Sequence, residues 1–419
     1  MIELQGKYNT AKVFTDNMEN AAISQVISML NEPGMEGSTI RIMPDVHAGK
    51  GCTIGTTMTL YDKVVPSLVG VDIGCGMLTV KLKEKSIDYK ELDKCILKNV
   101  PSGMNIRGTA HEYLKNTHID DLLCKDSLNM NRVMKSIGTL GGGNHFIEID
   151  KNANDELYLV IHTGSRYLGK QIAEYYQDKA EKQIRNNDIY RKNERQSIIN
   201  TLKAQGRVDE ISEALKGLNK GGNINFPYCE GDLFNAYIHD MKIAQEYAYW
   251  NRMAIANEIT KGMSLTIDNI FETIHNYIDM DSMILRKGAI SCRNGEQVLI
   301  PMNMRDGSLL CIGKGNPDWN YSGPHGAGRI LSRSQAKNMI NIEDFTDTMS
   351  GIYTSSIGRS TLDESPFAYK PIDEIKENIK DTVEIIDTIR PTYNFKACDE
   401  RERMERIAGM EKDDIELDL

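Results

Sequence analysis

The chain has 419 residues, a formal net charge of −10 at pH 7 and 40% hydrophobic residues, enough to bury a large core in one or two domains. The negative charge argues weakly against a protein that coats nucleic acid nonspecifically. Eight cysteines without a CxxC pair exclude a zinc ribbon and do not indicate a disulfide framework. No apolar run of about 18 residues predicts a membrane span. The N-terminal MIELQGKYNT lacks a secretion signal, so we expect a cytoplasmic protein.

The first half of the chain alternates short strands with one helix. The runs KVVPSLVGVDIG and MLTVKLK are typical of strands, whereas four apolar residues between positions 21 and 27 have the spacing of a helix over about 17–30. Residues 156–162 (ELYLVIH) form a predicted strand that ends at the turn Thr163–Gly164.

The middle of the chain is predicted to be helical. Residues 167–218 are charged and end at the breaker pair Gly221–Gly222. Because residues 178–220 contain ten Lys or Arg and seven Asp or Glu, they indicate a modestly basic helical hairpin. We therefore expect a helical insertion over about 167–220, followed by a more apolar helix over 233–262.

The last third returns to strands over 289–313, with a type I′ hairpin turn at Asn294–Gly295. Helices are predicted over 326–341 and 372–389. Residues 397–419 contain nine Asp or Glu against four Lys or Arg, which indicates a solvated, dispensable acidic tail. No interdomain linker appears, so we expect one α+β domain over 1–396, with mixed or antiparallel sheets around a central metal cleft.

Glycine-bearing stretches scattered along the chain carry most of the chemically capable side chains. Five of the eight histidines lie in them. The stretches are MPDVHAGKG (43–51), VGVDIGCGM (69–77), GTLGGGNHFIEI (138–149), VIHTGSR (160–166), ETIHNYI (272–278) and SGPHGAGR (322–329). Each histidine alone is more often a hydrogen-bonded structural residue, and Cys75 alone a buried cysteine. Their repeated occurrence on glycine-flanked turns favours a site built from distant loops.

The stretch around His325 indicates phosphate chemistry instead. We predict that His325 precedes a helix start, where Gly326 and Gly328 expose backbone amides and Arg329 and Arg333 lie one turn apart. A histidine against a bound phosphate is a candidate nucleophile or general acid; the alternative is a helix cap with two surface arginines. The run GKGN (313–316) is a further phosphate-type element, but the chain has no P-loop.

The ordered motifs MPDVHAGKGCTIG, GVDIGCGM, GGGNHFIE, HTGSR, HNY, GKGN and HGAGR closely resemble those of the RtcB family of RNA ligases. The later ESPFAYKPIDEI and IRPTYNFKA resemble that family's C-terminal elements, so the resemblance spans nearly the whole chain. It implies a GTP- and manganese-dependent ligase in RNA repair or tRNA splicing. Such an enzyme joins RNA 3′-phosphate or 2′,3′-cyclic phosphate ends to 5′-hydroxyl ends.

The resemblance also implies residue roles. His325 would take GMP from GTP, and Asp45 would orient it through its second ring nitrogen. The implied ligands of two Mn²⁺ ions are Asp72, Cys75, His145, His162 and His275, with Cys75 bridging. The implied guanylate contacts are Asn144, Glu148, Asn303, Ser308, Gly326, Tyr369 and Lys396, and the implied phosphate contacts are Arg166, Arg329 and Arg333. The implied partners are RNA and, as an open question, an archease-type activator.

The sequence departs from the family pattern at Pro301–Met304, where most members have Pro-Gly-Ser-Met. Asn303 replaces a serine there, so we expect GTP use to survive with a weaker preference over ATP. Two other classes stay open: a dinuclear metal phosphoesterase, and a catalytically silent RNA-binding protein with a structural metal. Because thiolate and imidazole ligands bind zinc more tightly than manganese, manganese follows from the resemblance alone.

Overall fold

Two large β-sheets form the body of the protein in a computed structural model, which describes residues 1–49, 51–204, 207–211, 215 and 226–397. The strands are β1 (Ile2–Gln5), β2 (Thr10–Val13), β3 (Ile40–His47), β4 (Ile54–Thr59), β5 (Lys63–Val64), β6 (Gly76–Leu82), β7 (Phe146–Lys151), β8 (Leu157–Thr163), β9 (Cys229–Glu230), β10 (Ile267–Ile274), β11 (Asn276–Asp279), β12 (Ile284–Lys287), β13 (Ala289–Ser291), β14 (Gln297–Asn303), β15 (Gly307–Gly313), β16 (Ser322–Pro324), β17 (Tyr353–Thr354) and β18 (Val383–Lys396). The helices are α1 (Asn20–Leu30), α2 (Pro66–Val69), α3 (Tyr89–Asn99), α4 (Met130–Ser136), α5 (Arg166–Ala204), α6 (Asp232–Gly262), α7 (Arg333–Met339), α8 (Ile342–Thr348) and α9 (Ile372–Asn378). The predicted α+β class is confirmed.

The first sheet has the strand order β1-β2-β3-β4-β12-β11. Its pairs are antiparallel except β2 with β3, which run parallel. A large apolar cluster joins this sheet to α1, α5 and α6 through residues such as Val26, Ile42, Leu168 and Tyr247. The sheet therefore forms one wall of a core that continues into the helical layer.

The second sheet has the order β10-β6-β8-β7-β18-β15-β14, with β17 pairing in parallel to β18. Apolar clusters cover both faces of its central strands. Side chains such as Ile147 and Leu159 pack towards α3 and α6, whereas Phe146 and Val160 point into the opposite cluster. Because strand side chains alternate between faces, Glu148 and His162 lie on the same face as Phe146.

Several predicted elements are confirmed. The predicted helix over 17–30 is α1, which begins at Asn20, and the predicted strand over 156–162 is β8. The apolar helix over 233–262 is α6. The proposed insertion begins as the single helix α5, but Gly221–Gly222 and the acidic tail after Ala397 lie outside the described residues.

The predicted hairpin at Asn294–Gly295 is wrong. Gly295 does adopt a left-handed φ of 78°, but the strands on either side belong to different sheets: β13 pairs with β16, and β14 pairs with β15. The run KVVPSLVGVDIG is also not one strand, because Pro66 begins the short helix α2, where a missing N–H costs nothing.

The two predicted C-terminal helices are much shorter than expected. The helix predicted over 372–389 ends at Asn378, and Val383 begins β18, which pairs with both β15 and β7. The helix predicted over 326–341 begins only at Arg333, after a capping box at Ser332. His325 therefore does not stand at a helix N-terminus, and the helix dipole cannot act on it.

Among the described residues, no helix combines the length and apolar composition needed to cross a bilayer.

Candidate metal centre and nucleotide cavity

The register of the second sheet brings four predicted metal ligands together. Strands β6 and β7 begin at the same end of the sheet at which β8 and β10 finish. The register shows this, because Met77 pairs with His162 and Ile274 pairs with Gly76. Cys75 and His145 directly precede β6 and β7, and His275 directly follows β10. The antiparallel pairing alone therefore places these side chains at the same end of four adjacent strands.

Cys75 lies at the centre of this cluster. Its Sγ is 3.4 Å from His145 Nε2 and 3.4 Å from His162 Nε2. The ligand atoms form two groups, each within 4.8 Å: Cys75 with His162 and His275, and Cys75 with Asp72 and His145. One thiol, three imidazoles and a carboxylate suit borderline divalent metal ions, so the residues present fit the metal that the sequence predicted.

Hydrogen bonds fix which ring nitrogen of His145 and His162 faces the cluster. Nδ1 of His145 donates to the carbonyl of Leu140 at 2.9 Å, and Nδ1 of His162 donates to the carbonyl of Asn144 at 3.1 Å. Because a carbonyl only accepts, both rings turn Nε2 towards Cys75. His145 Nε2 also lies 2.8 Å from Asp72 Oδ2. Such outer hydrogen bonds are typical of metal-binding histidines.

Burial also suits the cluster to metal binding. It lowers the pKa of both His162 and His275 well below the usual value, so both rings are neutral at neutral pH. Burial, together with the Asp72 carboxylate, raises the pKa of the Cys75 thiol. A thiolate at this position therefore requires a cation close by.

Two glycines of the ligand loops are dictated by close approach. A Cβ on Gly164 would lie 2.3 Å from Asp72 Oδ1, and a Cβ on Gly141 would lie 2.0 Å from Arg166 Nη1. A side chain at either position would therefore displace Asp72 or Arg166, and Gly141 also has a φ of 88°. The glycine-rich character of these motifs therefore follows from the packing of one loop on the next.

His325 extends the row of histidines away from the metal cluster. The ring centroids of His162 and His275 are 5.1 Å apart, and those of His275 and His325 are 5.0 Å apart. The fully buried Asp45 accepts hydrogen bonds from His325 Nδ1 at 2.6 Å and from its backbone N–H at 3.0 Å. Asp45 thus leaves Nε2 of His325 as the nitrogen with a free lone pair.

His325 borders a cavity of about 640 Å³. Most of the predicted nucleotide contacts line it: Asn144, Glu148, Asn303, Gly326, Arg329, Arg333, Tyr369 and Lys396. Ser308 does not; its buried hydroxyl lies on β15 opposite Pro301. Arg166 is also not at the cavity wall, because its side chain donates to Thr139 Oγ1 and to the carbonyl of Gly103. Nor does GKGN line the cavity, and Lys314 instead donates to the carbonyl of Lys380.

Glu364, which sequence reasoning missed, holds the basic residues of the cavity. It lies 3.1 Å from Lys396 Nζ and 2.5 Å from Arg333 Nη1, and it accepts a hydrogen bond from Tyr369 at 2.9 Å. Although burial raises the pKa of Glu364, these cations lower it to about 2. The carboxylate therefore keeps the basic groups in fixed positions at the cavity wall.

Glu148 is the other buried carboxyl group of the cavity, and its environment is the opposite. Burial raises its pKa to about 7, against the lowering effect of Lys396. Asn394, also missed from the sequence, donates a hydrogen bond to it. Glu148 is thus a costly buried acceptor that a ligand with N–H donors would satisfy.

Asn303 lies at the tip of the β14–β15 hairpin, and its polar atoms are already bonded. Its Oδ1 accepts from the backbone N–H groups of Arg305 and Asp306, and its Nδ2 donates to Asp306 Oδ2 at 2.8 Å. The residue lines the cavity as a turn-forming asparagine.

The cavity and the cluster beside it define a candidate metal-dependent enzyme. The chain matches the family model described as tRNA-splicing ligase RtcB over residues 25–131 and 125–397. It is 31% identical to the RNA-splicing ligase RtcB of Escherichia coli K12, covering 85% of this chain and 90% of that protein. The tRNA-splicing ligase RtcB of Methanococcus maripaludis is 25% identical, covering 91% and 92%. The chain belongs to the RtcB family.

Cys75→Ala is expected to lower bound metal by about half or more, and more than His145→Ala does, because the thiol belongs to both ligand groups. Elemental analysis after loading with Mn²⁺ and gel filtration measures this. Cys292→Ala is the matched control, since it removes an equally buried thiol from a different apolar cluster. Unchanged stoichiometry in Cys75→Ala would identify a structural cysteine.

Glu148→Gln is expected to raise the free energy of unfolding at pH 8 by on the order of 2 kcal/mol. The folded-state pKa of about 7 exceeds the ordinary 4.5, so wild-type stability falls as pH rises between these values, and the variant lacks that fall. Chemical denaturation at pH 4 and pH 8 measures it. Glu364→Gln should have the opposite sign at pH 8, because its pKa is lowered; equal effects of the two variants would contradict the assignment.

Proposed function

We propose that the protein is a GTP-dependent RNA ligase that uses two Mn²⁺ ions. It joins RNA 3′-phosphate or 2′,3′-cyclic phosphate ends to 5′-hydroxyl ends through GMP bound covalently to His325, in RNA repair or tRNA splicing. Residues 1–396 would be the catalytic unit, with a helical insertion over about 167–220. Family membership and the position of His325 between Asp45 and the histidine cluster support this proposal.

His325 has the arrangement that a nucleophilic imidazole requires. Its Nδ1–H is held by Asp45, so the ring presents Nε2, and the positive charge that develops on attack is stabilised by the buried carboxylate. In the proposed step Nε2 forms a bond to the α-phosphorus of GTP, and the bond to pyrophosphate breaks.

The remaining steps transfer the GMP onwards. An oxygen of the RNA 3′-phosphate attacks the same phosphorus and releases His325. The 5′-hydroxyl oxygen then attacks the activated 3′-phosphorus and displaces GMP, completing the phosphodiester. In the second step a P–O bond forms as the P–N bond to His325 breaks. In the third a P–O bond forms as the P–O bond to GMP breaks, and the 5′-hydroxyl proton passes to solvent. A 2′,3′-cyclic phosphate end must first be opened by water to a 3′-phosphate, so water is the one further reactant.

The cavity supplies groups for the nucleotide. We propose that Glu148 accepts N–H groups of guanine, and that Lys396, Arg329 and Arg333, which line the same cavity, bind phosphate or carbonyl oxygens. The arginines are already paired with residues 363–364, which orients them but means that a phosphate competes with these carboxylates.

The ligand cluster would hold the metal ions through Asp72, Cys75, His145, His162 and His275. Bound divalent ions supply charge neutralisation for the pyrophosphate that leaves. The chain's own Arg166 lies behind this cluster, where its charge faces Asp72. We propose it as an electrostatic support of the loops rather than as a direct phosphate contact.

A second cavity of about 480 Å³ reaches the same centre, lined by Val71, Asp72, Cys75 and Lys287 among others. It shares His275 and His325 with the first cavity. A nucleotide in the first cavity therefore leaves a second approach to His325 for an RNA end. An archease-type activator and a cytoplasmic location belong to the same proposal, and multiple-turnover ligation with and without such an activator tests the former.

His325→Ala is expected to abolish protein labelling by α-labelled GTP with Mn²⁺, while metal content stays near that of the wild type. The reason is that His325 is the proposed nucleophile and is not one of the metal ligands. His239→Ala, at a half-exposed histidine on α6, is the control and should label normally. Persistent labelling of His325→Ala would refute the proposal. If the wild type releases phosphate but is not labelled, the protein is a phosphoesterase. If the wild type binds RNA with neither phosphate release nor labelling, it is a silent binding protein.

Asn303→Ser is expected to retain ligation and to raise the ratio of GTP to ATP use, by about 1 kcal/mol in transition-state terms. A serine hydroxyl can still accept the turn N–H groups, but it frees space at the cavity wall. The measurement is the ratio of guanylylation to adenylylation rates in the two proteins. Asp306→Ala is the companion variant, since it releases the asparagine amide without changing its size; an unchanged ratio in both variants would show that the hairpin tip does not read the nucleotide.

A further inference from the structure

One face of α6 contacts every loop that carries a proposed metal ligand. The face consists of Gln245, Ala248, Asn251 and Arg252, whose spacing places them on one side of a helix. Both Asn251 and Arg252 are fully buried. Neither residue belongs to a motif of the family resemblance or takes part in the proposed chemistry.

Asn251 joins the loop before His145 to the loop after His162. Its Oδ1 accepts from the N–H groups of Gly138 and Thr139 at 2.7 and 3.1 Å. Its Nδ2 donates to the carbonyls of Thr139 and Gly164 at 3.2 and 2.9 Å. All of these bonds are to backbone, so the amide fixes the course of both loops.

Arg252 joins the Cys75 loop to the end of β8. Its Nη1 donates to the carbonyls of Gly74 and Thr163, both at 2.7 Å. Its Nη2 lies 3.0 Å from Glu272 on β10, three residues before His275. One guanidinium therefore touches the segments of three proposed ligands.

The other two residues of the face complete the contact. A Cβ on Gly74 would lie 2.8 Å from Ala248 Cβ, so the Cys75 loop packs directly on the helix. Gln245 accepts a hydrogen bond from the N–H of Ile278 at 3.1 Å, on the strand that follows His275.

Burying the guanidinium costs hydration, but an apolar face would leave the buried N–H and carbonyl groups of these loops without partners. What hydrogen bonds add is direction: each fixes the position of one carbonyl or N–H group. We infer that Asn251 and Arg252 are positioning residues that hold the four ligand loops in metal-binding geometry. The inference rests on the proposed metal site and deepens it.

The test is titration of the metal-free protein with Co²⁺, followed by the thiolate-to-cobalt charge-transfer and d–d absorption bands. Asn251→Ala and Arg252→Lys are expected to lower Co²⁺ affinity by about 10- to 100-fold and to alter the d–d bands, since ligand directions change. Arg252→Lys retains the positive charge and a donor nitrogen but loses the planar fork that reaches three segments, so it guards against a variant that does not fold.

Tyr247→Phe is the matched control. It removes a buried side-chain hydrogen bond of 2.8 Å from the same helix, but to Val133, which lies in no ligand loop. It should keep wild-type affinity and spectrum even where its melting temperature falls as far as that of the other variants. Equal losses in all three variants would overturn the inference and indicate a general structural effect.

The remaining outcomes separate this inference from the proposed function. If wild type binds Co²⁺ and both Asn251→Ala and Arg252→Lys bind it with the same affinity and spectrum, the positioning role is wrong while the metal site stands. If the wild type itself binds no Co²⁺, the proposed metal site is wrong, and the positioning role is overturned with it.

Discussion

The antiparallel register of β10, β6, β8 and β7 is the constraint on which the site depends. Because β6 and β7 begin where β8 and β10 end, the residues flanking those ends converge without any long-range loop. A slip of one residue would turn His162 to the opposite face of the sheet, away from Cys75. Both faces are packed with large apolar side chains, so such a slip would also expose the core. The free energy that stabilises the fold therefore also fixes the ligand geometry.

The strand register fixes where the loops start but not the orientation of their side chains. Hydrogen bonds to buried polar groups fix that orientation. The carbonyls of Leu140 and Asn144 fix two imidazole tautomers, and Asp45 fixes the ring of His325. Each of these groups would cost free energy if left unpaired in the interior. The same hydrogen bonds therefore give the buried polar groups their partners and orient the imidazole nitrogens.

Much of the candidate site could be predicted from the sequence, because its ligands occur beside glycines that close packing requires, as at Gly141 and Gly164. The C-terminal elements could not. The apolar residues Ile375, Ile379, Val383 and Ile386 fit a helical spacing, yet the last two lie in β18, where Val383 pairs with Gly313 of β15 and Ile386 lies at a register shift. The roles of Asn251 and Arg252 could not be predicted either, since a polar pair inside a long helix normally indicates a solvated face. Only the structure shows that loops pack on this face of α6.

The proposed catalytic groups and the proposed nucleotide contacts are held in place by different parts of the structure. The metal ligands and His325 depend on strand ends packed within the core, where a substitution disturbs several hydrogen bonds at once. Asn303 instead lies at a hairpin tip whose geometry is maintained locally by Asp306 and two backbone N–H groups. A residue change at this tip alters the cavity wall while leaving the register of the second sheet intact. We therefore expect sequence change to alter the proposed nucleotide preference more easily than the position of His325.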